Sequence, residues 1–271
     1  MDKNDDFADM LGLNVSVEEL KKAARDIRIR SGNGCVNCNY FGYTVNYQGK
    51  HLICDCVKSK MLASIYQKAD VPDIYFHKTI EEWNTKTDGN YNDLGVHSER
   101  SEYVYALLRF YFKNISKISR GTKIKITHSK NQKDNLHSLI FMGGSNSGKT
   151  FIASIAVQAA IKNNLSAKFY DWSNLVDILS NFSRKEELNE IIENFKDFDF
   201  IAIDDIQNYD ITQANFILQL DRLCKARLHS GKPTFLMVSA GYENTINCSG
   251  WKSLLRSCLT IQLPYAIKNL T

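Results

Sequence analysis

The chain has 271 residues, 44% apolar and 24% charged, a length for roughly one and a half to two domains and a balance that excludes disorder, collagen and a membrane span. Its 3 prolines and 14 glycines leave no Pro-rich or Gly/Ser-rich linker, and apolar runs such as Phe200–Ile203 fall far short of the ~20 residues a bilayer requires. The net charge of +4 is an average: between residues 101 and 133, Arg109, Lys113, Lys117, Arg120, Lys123, Lys125, Lys130 and Lys133 face Glu102 alone, so that segment carries +7 and the remainder −3.

Met1–Asp6 is acidic and lacks an apolar stretch, which predicts a cytoplasmic chain with no targeting segment and no membrane contact. Ser16-Val17-Glu18-Glu19 is a capping box, and Leu20, Ala23, Ala24 and Ile27 follow at helical spacing, so a short amphipathic helix is expected to about Arg30. Next, Tyr40–Tyr47 and His51–Ile53 read as two short strands around Gln48-Gly49-Lys50, a hairpin too small to fold by burial alone. Cys35-x2-Cys38 and Cys54-x-Cys56, 15 residues apart, flank it. Zn²⁺ held tetrahedrally by these four thiolates accounts for both the spacing and the folding of so small a unit. His51 is a substitute ligand if the tight Cys54-Asp55-Cys56 pair cannot both reach; unligated thiols or an iron–sulfur cluster are the other readings. Four protein ligands leave no open coordination position, so the site is structural. The remaining cysteines, Cys224, Cys248 and Cys258, bring the total to seven, which speaks against a disulfide framework and for buried thiols.

Residues 57 to 84 predict helix broken by a turn at Val71-Pro72-Asp73, and polar residues 85–99 predict a loop. The next helix, about 102–119, places Val104, Leu107, Leu108, Tyr111, Ile115 and Ile118 on one face and Arg109, Lys113, Lys117 and Arg120 on the other. Basic side chains bind phosphates without reading sequence, and nearby Phe110 and Phe112 can pack or stack, which makes this stripe the candidate surface for single-stranded DNA; a plainly solvated helix face is the alternative. From Leu136 onward, strands are predicted at 138–143, 166–171, 199–204, 234–239 and 259–263, with helices after each of the first four. Apolar strands alternating with helices are the signature of a parallel sheet covered on both faces.

Gly143-Gly144-Ser145-Asn146-Ser147-Gly148-Lys149-Thr150 fits G-x-x-x-x-G-K-[ST] between a predicted strand and a predicted helix. Such a loop curls its backbone amides around phosphates; Lys149 reaches the β/γ oxygens and Thr150 offers a hydroxyl to Mg²⁺. Asn146 suits a position needing positive φ. Phe200-Ile201-Ala202-Ile203-Asp204-Asp205 follows 55 residues after Lys149: Asp204 can hold Mg²⁺ through water, and Asp205 can orient or deprotonate the attacking water. Thr85-Lys86-Thr87-Asp88 matches a guanine-reading pattern but precedes the phosphate loop, so ATP is favoured and a permuted GTPase is the alternative. Ser239 ends the fourth strand with a hydroxyl that can meet the γ-phosphate or the water, and Arg256 can reach a neighbouring subunit's nucleotide.

The order of cysteine cluster, Ala69-Asp70-Val71-Pro72-Asp73-Ile74-Tyr75, Thr79-Ile80-Glu81-Glu82-Trp83 and phosphate loop resembles the bacterial and phage DnaC/DnaI-type helicase loaders, which are AAA+ ATPases. The resemblance covers about residues 33 to 265. It implies Lys149 and Thr150 in Walker A, Asp204 and Asp205 in Walker B, Ser239 as sensor 1 and Arg256 as the nearest candidate arginine finger, although the family's Ser-Arg order is not reproduced in Leu255-Arg256-Ser257. It further implies an α/β P-loop AAA+ core with a five-stranded parallel sheet between helices and no helical lid, preceded by a small zinc-binding module. The expected division is 1–57 for the N-terminal helix and zinc module, 58–130 for a helical connecting region with the basic helix, and 131–271 for the ATPase core. The implied activity is slow, partner-stimulated ATP hydrolysis, with Mg²⁺ and Zn²⁺ as cofactors. A replicative DNA helicase, single-stranded DNA and further copies of the chain, joined through the ATP site, are the expected partners. An IstB-type transposition helper ATPase and an ATP-binding adaptor with little hydrolysis are the alternatives.

Overall fold

The computed structural model describes residues 35, 38, 43–45, 51–83, 96–122, 124–129, 132–180, 195–206, 214–239 and 249–263. The helix expected at 16–30 lies outside the described residues, as does most of the loop expected at 85–99 and the stretch beyond Leu263 on which the lack of a lid turns. Two compact units divide the chain at residues 77 and 78.

In the first unit, β1 (Tyr43–Val45) pairs antiparallel with β2 (His51–Ile53), Thr44 opposite Leu52, and the chain passes through Cys54 into α1 (Asp55–Lys68). Val57 and Met61 of α1 are buried with Ile53 and Cys56 packed against them. Helix does not continue to residue 84: Asp70 adopts φ +58, Pro72 disfavours helix at Val71, and only short 3-10 turns follow, at Asp73–Tyr75 and Ile80–Glu82.

The second unit holds α2 (Val96–Ser119), a hairpin of β3 (Lys125–Ser129) and β4 (Gln132–Asn135), then β5 (Leu139–Gly143), α3 (Lys149–Lys162), β6 (Ala167–Asp171), α4 (Trp172–Ser180), β7 (Phe200–Ile206), α5 (Ala214–His229), β8 (Thr234–Ser239), α6 (Ser249–Ser257) and β9 (Leu259–Gln262). α2 begins six residues before its expected start, and the hairpin was not expected at all. The last five strands form one parallel sheet in the order β6-β7-β8-β5-β9, which puts β5, the strand feeding the phosphate loop, inside the sheet.

Both faces of that sheet are buried, which is why its strands read as continuous apolar runs. Ile140 and Met142, Ile201 and Ile203, and Leu236 and Val238 point to one face, against Trp172, Leu175, Ile217, Leu220 and Leu254 from α4, α5 and α6. Cys224 joins that cluster and Cys258 packs on it; burial raises both thiols, Cys258 to about 12, so they stay protonated. On the other face Phe235 is ringed by Phe141, Phe200 and Tyr111, with centroids 5.2, 5.0 and 4.8 Å away. Tyr111 brings in α2, whose six expected core residues are all buried, and its hydroxyl donates to the His137 carbonyl at 2.6 Å. Arg227, at the end of α5, is also fully buried. Its guanidinium donates to the carbonyls of Phe195, Phe198 and Pro233 and to the Thr234 hydroxyl, pinning the chain ahead of β7 and β8. Desolvation holds its pKa down to about 10.

Candidate nucleotide and metal sites

The phosphate loop leaves the carboxyl end of β5 and returns as the first turn of α3, so the helix N-terminus and loop amides share one end of the sheet. Two left-handed residues curl it: Asn146 at φ +60 and Gly148 at φ +84. Gly143 is required for a second reason, since a Cβ there would stand 2.4 Å from Ser147 Oγ and 3.0 Å from Leu263 Cβ. Lys149 is buried and donates from Nζ to the carbonyls of Gly143 (2.9 Å) and Gly144 (2.7 Å), which holds its ammonium along the loop. Burial pushes its pKa down, opposed by Asp204 and Asp205.

Asp204 lies at the carboxyl end of β7, opposite Asp171 of β6, and its buried carboxylate accepts a hydrogen bond from the Thr150 hydroxyl. Desolvation raises its pKa; the Thr150 hydroxyl, the Asp205 backbone amide and the Lys149 charge oppose the rise, and the Asp205 charge adds to it. Asp204 Oδ1 and Ser147 Oγ are buried without a hydrogen-bond partner among the described residues. Orphaned oxygens beside a buried ammonium fit a hydrated divalent cation and phosphate oxygens, the groups that would satisfy them.

Asp205 reaches the site through an irregularity. Ile203 pairs with Leu236 but Ile206 pairs with Val238, so β7 carries one extra residue and bulges; Asp205 sits in the bulge at φ +57, exposed between buried Asp204 and Ile206. Ser239 ends β8 opposite Gly143, at the same edge of the sheet. Arg256 is elsewhere: α6 leads into β9 where Leu259 pairs with Leu139, the start of β5, so Arg256 stands at the edge of the sheet away from this chain's own phosphate loop. Asp171 was not anticipated as a neighbour; it accepts from the Ser173 hydroxyl and the Asn174 amide and so caps α4 at the rim of the site.

In the first unit, the sulfurs of Cys35, Cys38, Cys54 and Cys56 all lie within 4.8 Å of one another, with Cys35 to Cys54 at 3.6 Å and Cys38 to Cys56 at 3.7 Å. These separations are too long for disulfides, whose S–S length is about 2.05 Å, and match the ~3.75 Å edge of a tetrahedron with ~2.3 Å Zn–S bonds. The donor set therefore fits Zn²⁺, and both members of the Cys54-Asp55-Cys56 pair face the cluster. Burial raises the Cys56 thiol.

On α2, Arg109, Lys113, Lys117 and Arg120 are exposed, with Tyr103 and Phe110 exposed among them and Phe112 half-buried. Lys123 lies outside the described residues, as do the side chains of Lys125, Lys130 and Lys133.

Residues 112–231 match the family described as IstB-like ATP binding protein. No curated protein matches the chain. Among solved structures the chain is similar to DnaI, with a TM-score of 0.51 and 13% identity over 71% of this chain and 91% of that one. It is equally similar to the DnaC helicase loader, at TM-score 0.51 and 13% identity over 71% of this chain and 100% of that one. A third likeness is to the replication initiator DnaA bound to AMPPCP and single-stranded DNA, at TM-score 0.50 and 14% identity over 71% of this chain and half, 50%, of that one. The shared feature is the fold, a P-loop AAA+ core with a five-stranded parallel sheet between helices.

Proposed function

We propose that this chain, an AAA+ protein related to the DnaC/DnaI-type helicase loaders, is an ATP-dependent loader. In this reading it docks on a replicative hexameric helicase through its N-terminal cysteine module and helps place that helicase on single-stranded DNA. The observation that carries the reading is the joining of Lys149, Thr150 and Asp204 at the end of β5 and β7 in a core with the loaders' fold, preceded by four converging thiols.

The residues divide the work. The amides of 143–150 and the N-terminus of α3 cradle the phosphates, and Lys149 neutralises the β/γ oxygens. Thr150 and Asp204 hold Mg²⁺, which when bound offsets charge developing on the phosphates. Asp205, presented by the bulge, orients or deprotonates the attacking water, and Ser239 steadies the water or the γ-phosphate. Arg256, facing away from its own site, supplies charge to the nucleotide of a neighbouring copy, which makes hydrolysis depend on self-association and predicts slow turnover in isolation. Cys35, Cys38, Cys54 and Cys56 hold Zn²⁺ as a fold-closing ion. Single-stranded DNA lies along the Arg109–Arg120 stripe of α2, where charge gives affinity without sequence reading.

The test is capture of partners by the tagged full chain with and without ATP, followed by mass spectrometry. A replicative helicase retained by the parent and lost with Cys38→Ser is the expected result. Recovery of a transposase instead selects the IstB-type helper reading, which the match at 112–231 favours. A retained helicase with no hydrolysis, with or without single-stranded DNA, selects an ATP-binding adaptor.

A further inference from the structure

Thr79–Trp83 lies ahead of α2, and the proposed chemistry leaves it without a role. It forms a tightly tied 3-10 turn: the Thr79 amide donates to Glu82 Oε1 at 3.1 Å, Lys78 Nζ donates to Glu82 Oε2 at 2.6 Å, and the Trp83 amide donates to the Ile80 carbonyl at 3.1 Å. Ile80 is buried, and Glu81 stands 3.9 Å from Arg109 of α2. The turn is thus fastened at both ends before it delivers the Trp83 side chain.

That side chain lands on the phosphate loop. A Cβ built on Gly148 would lie 2.8 Å from Trp83 Nε1 and 3.5 Å from Cδ1, so the pyrrole edge of the indole rests on the left-handed glycine immediately before Lys149. Gly148 is therefore glycine for two reasons, its φ of +84 and the indole above it. A loop with two left-handed residues keeps its amides convergent only if its surroundings prevent relaxation, and a rigid aromatic edge on one of those residues does so.

We infer that Trp83 is a positioning residue for the phosphate loop, held by the Thr79–Glu82 strap, and that nucleotide occupancy is felt directly at its indole. The inference rests on the reading of residues 143–150 as an ATP site.

The experiment uses the full chain carrying Trp172→Phe and Trp251→Phe, so that Trp83 alone emits, titrated with MgATP while bound nucleotide is measured in parallel by equilibrium dialysis. The emission of Trp83 is expected to change with the same midpoint as binding. Trp83→Ala in the parent is expected to weaken MgATP about tenfold and Trp83→Phe less than about threefold, with melting temperatures close to the parent's. Because Trp172 is buried in the core, the difference in emission between the parent and Trp83→Phe replaces the single-tryptophan chain if that chain does not fold. Nucleotide bound with no change in Trp83 emission, or Trp83→Ala binding as tightly as the parent, overturns the inference. A parent that retains no nucleotide in dialysis refutes the ATP-site reading itself, and the role of Trp83 with it.

Discussion

Backbone strain and proposed chemistry coincide at Asp205, and replacing it in three ways separates them. Its φ of +57 follows from the extra residue in β7 between Ile203 and Ile206. Asp and Asn tolerate that conformation, whereas an alanine there carries a penalty of about 1–2 kcal/mol and a glycine none. Asp205→Asn therefore removes only the carboxylate. Phosphate release at saturating MgATP should fall by about 10²–10⁴, the range for a positioned acid or base, with MgATP affinity within about threefold and melting temperature within about 2 °C of the parent. Asp205→Ala should lose the same activity and, at about 2–4 °C per kcal/mol for a unit of this size, also melt about 2–8 °C lower. Asp205→Gly should be equally inactive but melt above the alanine variant. Turnover of Asp205→Asn within threefold of the parent would remove the residue from the chemistry, and equal melting of the Ala and Gly variants would remove the strain.

The buried Asp204 gives a prediction of opposite sign. Its folded pKa is raised, so the stability it contributes is present below the unfolded value near 3.8 and is lost as pH rises through the folded one. Asp204→Asn, a mimic of the protonated form, should raise the melting temperature of the nucleotide-free protein at pH 7 and abolish the further rise given by MgATP; a lower melting temperature would contradict this. For the cysteine cluster, elemental analysis should find one zinc per chain, and Cys38→Ser should lose it and unfold the first unit while the second keeps its melting transition. Arg227→Ala removes the guanidinium from three carbonyls and the Thr234 hydroxyl; the Pro233 carbonyl keeps the Ile201 amide, so at about 1–3 kcal/mol for each of the other groups the loss is about 3 kcal/mol or more, or about 6–12 °C in a thermal melt. On α2, Lys113→Glu with Lys117→Glu should weaken binding to oligo-dT and flatten its salt dependence, as measured by fluorescence anisotropy; unchanged affinity would leave the stripe a solvated face.

What could be read in the sequence were features whose physical cause is local. Gly148 and Asn146 are where left-handed backbone is required, and continuous apolar runs mark strands buried on both faces. The six apolar positions of α2 repeat at helical spacing, so its buried face was legible even though its first turn was not. The β3–β4 hairpin escaped because Lys-Ile-Thr-His-Ser and Gln-Lys-Asp-Asn carry no alternation in sequence; it shows only in the backbone pairing of Lys125–Ser129 with Gln132–Asn135. Arg227 escaped because an arginine near a helix end reads as solvated, and nothing local announces that its acceptors come from residues 195, 198, 233 and 234. The contact of Trp83 with Gly148 spans 65 positions and has no periodic signature.

The nucleotide site departs from local rules in a consistent direction. Burial pushes Lys149 down and Asp204 up, so both ionised forms are disfavoured where they sit, and Ser147 Oγ and Asp204 Oδ1 are left without partners among the described residues. Elsewhere in the same unit Arg227 finds four acceptors and Tyr111 finds the His137 carbonyl, while Ser119 Oγ, His137 Nε2, Ser154 Oγ, Trp172 Nε1 and Asp221 Oδ1 are buried without hydrogen-bond partners among the described residues. What sets apart the unmet groups at the ends of β5 and β7 is their convergence with a buried ammonium, the Thr150 hydroxyl and a helix N-terminus, and that convergence marks a place where the missing partners come from outside the chain. Their chemistry states what those partners are: an anion for the ammonium of Lys149 and the α3 N-terminus, and a cation for the free oxygen of Asp204. MgATP supplies both charges at once, so its binding should stabilise this unit by more than phosphate or Mg²⁺ does singly, and MgATP giving no greater rise in melting temperature than those two would refute the pairing.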